Sequence, residues 1–385
     1  MPGKPSLPPW KVALFSVLPG LFLLGSLEGA LRAYDYVRGV NYIPGKGYTD
    51  NPNVILYQDH KYLGKTLRPK ASWLGIGPDG QQVQVSINSL GFRGKEFDTL
   101  KNPQTFRIIA IGGSTTFTPN VLDSDTYPQL LENILNSQVD GSSTNFEVIN
   151  AGTPGYSTEE AVINFCQRLL RLSPDLIVIY HGYNDIKPNP RKINLNCLRD
   201  GSMVSLEPSS RTNQLIHPKR KTRRKTPIQE YSRLFVKARN RLFPTKRTSP
   251  EASQRSSTVD DRSAASFRHN LNLLVDLAEL NNVRVVLSTY ASTLTQENIK
   301  LHPEKFEAIW FFVPHLTYEG MIANVTSHNR TIKSVAEARN LPLVLSDQLI
   351  PPTFDYFVDH VHFNRNGARL MAEGIAASIL QSHFK

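Results

Sequence analysis

Short apolar runs alternate with longer stretches of helical spacing from Phe106 onward. A continuous apolar run is typical of a strand buried on both faces of a parallel sheet, and apolar residues three or four positions apart indicate amphipathic helices. The pattern predicts strands at 107–111, 146–149, 176–180, 283–288 and 342–345, and helices at 127–135, 158–172, 264–280, 324–339 and 366–381. We therefore expect an α/β fold, a three-layer α/β/α sandwich around a five-stranded parallel sheet.

A different apolar run opens the chain. Residues 12–27 carry no charge, follow Lys4 and Lys11, and are closed by Glu28. The run is somewhat shorter than the about 20 residues that span a bilayer core, so a cleaved signal peptide and an uncleaved signal anchor both fit. We favour the anchor, a transmembrane helix, because no A-x-A cleavage site follows the run. The preceding basic residues then predict a cytoplasmic amino end and an extracytoplasmic body.

The chain is predicted to have three parts. Residues 1–33 form the anchor, and 34–105 form an irregular extension with short strands, such as the alternating run 82–87. Residues 106–385 form the main domain, in which about 187–260 is an insertion between the third and fourth strands.

The basic charge is concentrated in that insertion. The whole chain has a formal net charge of +11, whereas residues 211–247 hold thirteen Lys and Arg against one acid, Glu230. A solvated insertion explains this composition, and the run from Lys219 to Lys225 is also a candidate for contact with anionic lipid. We do not expect nucleic-acid binding, because neither aromatic stacking platforms nor a recognisable module accompanies the charge.

The remaining composition excludes several classes. An apolar fraction of 40% is too high for a wholly disordered chain. Two cysteines, Cys166 and Cys197, are too few for a disulfide-dense scaffold or a four-cysteine zinc site. Nothing in the sequence decides whether these two are bridged.

Polar and glycine-rich segments follow the predicted strands, at the edge where ligands bind in such sheets. They comprise Gly112-Gly113-Ser114, a turn around Gly155, Asn184-Asp185, and Asp359-x-x-His362 near the carboxyl terminus. The first is neither a P-loop nor a dinucleotide fingerprint, because the required Lys and glycine spacing are absent. Taken alone it leaves a nucleophilic Ser114 and a structural turn about equally plausible, but four such segments at one edge indicate a site. Asp185 is interpreted as a turn or hydrogen-bonding residue beside it.

The four segments, in this order, resemble the blocks of the SGNH (GDSL-like) hydrolase family. The resemblance covers Phe106 to the carboxyl terminus except the insertion, and Gly113 replaces the usual Asp of the first block. It implies a flavodoxin-like fold and no metal or cofactor. It also implies Ser114 as nucleophile, His362 as base and acid, and Asp359 as the residue that orients His362. The implied oxyanion donors are the N–H groups of Ser114 and Gly155 and the Asn184 side-chain amide.

The expected function is a membrane-anchored, extracytoplasmic serine esterase that removes O-acyl groups, such as O-acetyl groups on a surface glycan, with lipid esters as the next candidates. The same triad also suits transfer of an acyl group to a sugar hydroxyl, and a non-catalytic glycan-binding protein is the alternative from another class. Asp359, His360 and His362 could instead hold a metal. That interpretation is less favoured because it leaves Ser114, Gly155 and Asn184 without a role.

Overall fold

The computed structural model describes residues 8–37, 41–43, 47–49, 51–77, 80–138, 144–187, 192–193, 196–197, 203–204, 232–242 and 255–383. These residues divide into two compact units. The first lies within Met1–Tyr57 and Lys219–Thr248, and the second within Gln58–Pro218 and Ser249–Lys385. The boundaries expected at residues 33 and 105 stay a prediction.

Most of the predicted helices and strands are present with slightly different ends. The helices are α1 (Pro9–Val37), α2 (Pro52–Ile55), α3 (Ser114–Phe117), α4 (Tyr127–Gln138), α5 (Thr158–Asn164), α6 (Arg233–Leu242), α7 (Asp261–Leu280), α8 (Gln296–Leu301), α9 (Tyr318–Ala338), α10 (Ser346–Leu349) and α11 (Arg365–His383). The strands are β1 (Asn41–Ile43), β2 (Gly47–Thr49), β3 (Tyr57–His60), β4 (Gly64–Leu67), β5 (Ser72–Ile76), β6 (Gln82–Ser86), β7 (Thr105–Gly112), β8 (Asn145–Asn150), β9 (Leu176–Tyr180), β10 (Asn196–Cys197), β11 (Met203–Val204), β12 (Arg284–Ser288) and β13 (Leu343–Val344).

The first unit contains α1, which extends beyond the charge-free run of the sequence. Its stretch Pro9–Asp35 is long and apolar enough to cross a membrane, and its length and composition fit a membrane anchor and a signal sequence alike. The helix includes the acid that closes the apolar run. Glu28 pairs with Arg32 at 2.9 Å and accepts a hydrogen bond of 2.9 Å from the backbone N–H of Leu234, at the start of α6.

The second unit is built on a parallel sheet. Among the described residues this sheet has five strands in the order β13-β12-β9-β7-β8, and every neighbouring pair is parallel. From β7 the chain moves outward to β8 and then returns to the other side of β7 to form β9. This reversal creates a crevice at the carboxyl ends of β7 and β9, which is where ligands bind in doubly wound sheets.

Helices cover both faces of the sheet. On β7, Ile108 and Ala110 pack into a buried cluster with residues of α4 and α11, whereas Ile109 and Ile111 pack into a second cluster with residues of α5 and α7. Successive strand residues point to opposite faces, so a strand with both faces buried has to be apolar throughout. The α/β/α sandwich expected from the sequence is confirmed.

The chain before the sheet is tied to the turn that carries Ser114. The side chain of Arg93 is fully buried, and its guanidinium donates to the carbonyl oxygens of Phe117 at 2.6 Å and Val121 at 2.7 Å. It also pairs with Asp123 at 2.9 Å. Because a buried guanidinium needs this set of acceptors, Arg93 holds the segment after α3 in one position.

A disulfide joins Cys166, in the helical turn that continues α5, to Cys197 on β10, with 5.5 Å between the Cα atoms. The pairing that the sequence left open is therefore formed in the structure. Most of the basic insertion, including the run from Lys219 to Lys225, lies outside the described residues.

Candidate active site

Ser114 lies where β7 ends, as the first residue of α3. Two glycines make this turn possible. A Cβ atom on Gly112 would lie 2.0 Å from Oγ1 of Thr116 and 2.7 Å from the carbonyl oxygen of Tyr180, so no larger residue fits. The turn leaves Ser114 half-buried at the carboxyl edge of the sheet, beside the crevice between β7 and β9.

His362, on the loop before α11, contacts Ser114 directly. Its Nε2 atom lies 2.7 Å from Oγ of Ser114, and its Nδ1 atom lies 2.7 Å from Oδ2 of Asp359. The other carboxylate oxygen of Asp359 accepts the backbone N–H groups of Val361 and His362, both at 2.9 Å. The Asp-x-x-His segment thus folds the carboxylate back against the imidazole. A carboxylate at Nδ1 favours the tautomer protonated there, which leaves the Nε2 lone pair facing the serine hydroxyl.

Asp359 stays ionised in this environment. Burial opposes its charge, but the contact with His362, the nearby His360 and the backbone N–H of Val361 together hold the pKa of the Asp359 carboxyl well below its usual value. A carboxylate in this state can stabilise a positive charge that forms on the imidazole of His362.

The loop after β8 brings Gly155 to the same edge. The backbone N–H of Thr153 donates to the carbonyl oxygen of Gly112 at 3.1 Å. Gly152 lies so close to α3 that a Cβ atom there would be 2.3 Å from the amide nitrogen of Phe117. Gly155 is exposed and has a φ of +86°, a conformation that favours glycine.

Asn184 approaches from the end of β9. Its Nδ2 atom donates a 2.8 Å hydrogen bond to the carbonyl oxygen of Tyr156, next to Gly155. A Cβ atom on Gly113 would lie 2.5 Å from the same Nδ2 atom. The Asn184 amide therefore occupies the space that a side chain at position 113 would need. An amide nitrogen carries a second N–H, which remains to face a substrate.

A buried carboxyl joins the two loops. Oδ1 of Asp185 accepts hydrogen bonds from the backbone N–H of Thr158 at 2.9 Å and from its hydroxyl at 2.5 Å. Burial raises the pKa of Asp185 to about 7, although the bonds from Thr158 act in the opposite direction. Asp185 thereby connects the Asn184 turn to the start of α5, just after Gly155, which agrees with the hydrogen-bonding role expected from the sequence.

A charged group that the sequence analysis did not single out supports the same region. Nζ of Lys187 donates to Oγ of Ser157 at 2.8 Å and lies 3.2 Å from Oε2 of Glu159. Glu160 accepts the backbone N–H of Ser157 at 2.9 Å. The Ser157-x-x-Glu160 spacing indicates the start of a helix. No local pattern in the sequence shows that Lys187 contacts the residues at this helix start.

His360 contacts a different hydroxyl group from the one that His362 contacts. Its Nε2 atom lies 3.1 Å from the hydroxyl of Tyr183, and burial lowers its pKa to about 4, which leaves the ring neutral at pH 7. Within the part of the chain that the structure describes, no group of three His, Cys, Asp or Glu residues is placed to hold a metal ion.

A second residue outside the expected set is Lys65 on β4. Its Nζ atom lies 3.7 Å from the position that a Cβ atom on Gly155 would take. Lys65 precedes Ser114 in the extension and belongs to no motif, so the sequence carries no signal for it.

Together these residues form a compact chemical unit. A serine hydroxyl contacts an imidazole, the imidazole contacts an ionised carboxylate, and a glycine turn and an amide lie next to the serine. Such a unit can activate a hydroxyl for attack on an acyl carbon and can hold the oxyanion that results.

Comparison with known proteins agrees with this chemistry. Residues 110–370 match the model of the GDSL-like lipase/acylhydrolase family. No curated protein matches the chain.

Several solved structures are similar to this chain. A GDSL-like lipase from Bacteroides thetaiotaomicron is 14% identical, with 72% of this chain and 89% of that chain covered and a TM-score of 0.38. A lipase/acylhydrolase from Enterococcus faecalis is 18% identical, with 72% and 96% covered and a TM-score of 0.40. An acetyl xylan esterase, AlAXEase, is 15% identical, with 71% and 99% covered and a TM-score of 0.39.

Proposed function

The chain belongs to the GDSL-like lipase/acylhydrolase family and is a serine hydrolase that acts on ester bonds, and we propose that Ser114, His362 and Asp359 carry out this hydrolysis through an acyl-enzyme. The observation that carries the proposal is the continuous contact from Asp359 through His362 to Ser114, with both distances at 2.7 Å.

In the first step Oγ of Ser114 attacks the ester carbonyl carbon while Nε2 of His362 takes the hydroxyl proton. The carbonyl oxygen becomes an oxyanion, which accepts hydrogen bonds from the N–H groups of Ser114 and Gly155 and from Nδ2 of Asn184. The first N–H groups of a helix have no intrahelical partner, so the position of Ser114 at the start of α3 suits this role. When the C–O bond breaks, His362 returns the proton to the leaving alcohol, and the acyl group stays on Ser114.

In the second step water replaces the alcohol. His362 takes a proton from a water molecule that attacks the acyl carbon, and the same donors hold the second oxyanion. Collapse of this intermediate releases the carboxylic acid and returns the proton to Ser114. Asp359 keeps the imidazole oriented in both steps and stabilises its transient positive charge.

The proposed substrates are O-acyl esters of a surface glycan, such as O-acetyl esters, and the proposed location is the extracytoplasmic side of a membrane. Two features support the location. Lys4 and Lys11 precede the charge-free run 12–27 of α1, as in an anchor whose amino end stays in the cytoplasm. The disulfide between Cys166 and Cys197 is of a kind that persists in oxidising compartments.

Hydrolysis of p-nitrophenyl acetate tests the catalytic proposal. We expect Ser114→Ala to lower kcat by about 10⁴-fold or more, while Ser137→Ala, an exposed serine on α4, leaves kcat unchanged. A fluorophosphonate should label wild type on Ser114 and fail to label Ser114→Ala. Retained turnover in Ser114→Ala, or activity that EDTA removes and zinc restores, would discard the assignment. Release of acetate into water, rather than its transfer to an added sugar, separates the hydrolase from the acyltransferase alternative.

Localisation has its own test. We expect the full-length chain to sediment with membranes and a chain that lacks residues 1–31 to be soluble and active. Full-length protein in spheroplasts should be cut by added protease. Protection of the catalytic domain from protease would reverse the proposed orientation.

A further inference from the structure

The side chain of Lys187 joins the two loops that carry the proposed oxyanion donors. Gly155 lies on the loop between β8 and α5, and Asn184 lies in the turn after β9, shortly before Lys187. The Nζ atom of Lys187 donates a 2.8 Å hydrogen bond to Oγ of Ser157, at the end of the Gly155 loop. The same atom lies 3.4 Å from both carboxylate oxygens of Glu160, in the first turn of α5. Lys187 therefore connects the Asn184 turn with the end of the Gly155 loop.

The Gly155 loop is held at one point on each side of the glycine. Before it, the backbone N–H of Thr153 donates to the carbonyl oxygen of Gly112 at 3.1 Å. After it, Oε2 of Glu160 accepts the backbone N–H of Ser157 at 2.9 Å and the hydroxyl of Ser157 at 2.6 Å. Gly155 itself has no side chain and a φ of +86°. The direction of its N–H therefore depends on these two points, and Lys187 contacts the second of them.

The contact of Lys187 with the start of α5 is an ion pair in a largely buried environment. The side chain of Lys187 is 31% exposed and that of Glu160 is 18% exposed. Burial lowers the pKa of Lys187, but the charges of Glu160 and Glu159 outweigh it and raise this pKa. Burial raises the pKa of Glu160, but the charge of Lys187 and the hydrogen bonds from Ser157 hold it below its usual value. Loss of the ammonium would leave Glu159 and Glu160 as like charges on one helical turn, which disfavours their present positions.

The two oxyanion donors have to be placed relative to each other with precision. A backbone N–H and a side-chain amide stabilise one oxyanion only if both lie about 2.7–3.1 Å from the position that this oxygen takes in the transition state. Asn184 contacts the Gly155 loop through its 2.8 Å hydrogen bond to the carbonyl oxygen of Tyr156. Asp185 contacts the backbone N–H of Thr158 at 2.9 Å. Lys187 adds to these two hydrogen bonds the one link between the loops that carries a full charge on both sides among the described residues.

We propose that Lys187 is a positioning residue for ester hydrolysis: its contacts with Ser157 and Glu160 hold the Gly155 loop against the Asn184 turn, so that the two donors converge on one oxyanion. This rests on the function proposed above. Lys187 belongs to none of the four segments that resemble the family's blocks. Its role follows from the packing of the two loops rather than from a motif.

The first experiment removes the charge and keeps most of the length of the side chain. In Lys187→Met we expect kcat for p-nitrophenyl acetate to fall about tenfold or more with little change in KM, because a small displacement of the donors raises the energy of the transition state alone. Lys187→Arg can still pair with Glu160 and should retain most of the activity. Lys192→Met is the matched control and should behave as wild type, because Lys192 is exposed.

A second experiment separates positioning of the donors from a general effect on the fold. When Asn184→Ala has already removed one donor, we expect Lys187→Met to lower kcat only about two- to threefold further. Phenylboronic acid forms a tetrahedral adduct with a nucleophilic serine, which places an oxygen at the oxyanion site. Its inhibition constant should therefore rise in Lys187→Met by about the factor by which kcat/KM falls.

Several results would overturn the role of Lys187. They are unchanged kinetics in Lys187→Met, a loss that appears in KM alone, and an equal loss of kcat with and without Asn184. If the melting temperature shows that Lys187→Met does not fold, the double variant Lys187→Met, Glu159→Gln carries the test, because it avoids the like-charge pair. Unchanged kcat in that variant would also overturn the role. A wild type that hydrolyses the ester without need of Ser114 would instead be a failure of the proposed function itself.

Discussion

Nε2 of His362 lies 2.7 Å from Oγ of Ser114, although 248 positions of sequence separate the two residues. Ser114 is placed by the end of β7, and His362 by the loop that leads into α11. β7 is a strand of the central sheet, and α11 packs against that sheet. The fold itself therefore places the two side chains in contact. The predictions below use this contact and the groups around it.

Replacement of the carboxylate should disable the imidazole without removing it. We expect Asp359→Asn to lower kcat by about 10³–10⁴-fold, because an amide at this position favours the wrong tautomer of His362 and cannot stabilise its positive charge. Steady-state kinetics with p-nitrophenyl acetate measures the effect. Asp355→Asn, an exposed residue of the same loop, is the matched control and should behave as wild type. A kcat within a few-fold of wild type in Asp359→Asn would contradict this role.

The side-chain amide of Asn184 should act on the transition state. We expect Asn184→Ala to lower kcat by about 10²–10³-fold with little change in KM, because the oxyanion forms only after attack. The lost hydrogen bond to Tyr156 could displace the Gly155 loop, so the melting temperature is measured as well. Exposed Asn133→Ala serves as control. A rise in KM with unchanged kcat would assign Asn184 to substrate binding instead.

Asp185 should make stability depend on pH in an unusual direction. Its carboxyl holds a proton more tightly in the folded chain than in the unfolded one, where the pKa is about 4. Between about pH 4 and the folded value of about 7, the folded chain keeps a proton that the unfolded chain has lost, so this residue lowers stability as pH rises. Asp185→Asn resembles the protonated acid and removes the effect.

The measurement is the melting temperature of Asp185→Asn minus that of wild type, from pH 5 to pH 8. We expect this difference to increase by a few degrees across the range, whereas the difference for Asp355→Asn stays flat. A constant difference for Asp185→Asn would show that its pKa is close to that of an ordinary carboxyl.

The disulfide should contribute to stability and leave no reactive thiol. Cys166 and Cys197 are 31 positions apart, and a bridge over such a loop stabilises a fold by about 2–4 kcal/mol. We expect the double variant Cys166→Ser, Cys197→Ser to unfold at lower denaturant concentration than wild type. Mass spectrometry after iodoacetamide treatment of the denatured chain should find no alkylated cysteine without reductant and two with it. Two modified cysteines in the oxidised, unreduced protein would contradict the pairing.

Local patterns predicted the secondary structure well where both faces of a strand are buried, because such a strand has to be apolar throughout. β9 has the predicted bounds, and β7 extends the predicted strand at both ends. Two helix ends differ clearly from the prediction. α5 ends at Asn164 rather than at residue 172, with π and 3₁₀ turns continuing to Leu172. α9 begins at Tyr318 rather than at residue 324, and the hydroxyl of Thr317 accepts the backbone N–H of Gly320 there. The spacing of apolar residues is a weak signal in the first turn of a helix. The capping hydrogen bond that marks the start of the helix cannot be recognised from that spacing.

The candidate site likewise consists of residues that the sequence predicts and of contacts that it does not predict. Ser114, Gly155, Asn184, Asp359 and His362 were all named in advance, because each belongs to a short motif at the end of a predicted strand or near the carboxyl terminus. The sequence did not predict the contacts that hold these residues in place. Nothing local connects Asp185 with Thr158, or Lys187 with Ser157, since these pairs form only when the loops after β8 and β9 meet.

The sequence alone therefore determined the order of strands and helices along the chain, the apolar amino-terminal run, and the motifs with their spacing. Each of these depends on neighbouring residues and on the periodicity of apolar positions. The tertiary structure decided that Lys65 ends beside Gly155, that Arg93 holds the segment after α3, and that Cys166 meets Cys197. These contacts join positions far apart in the chain, and they depend on how loops and side chains pack between elements, which no local period encodes.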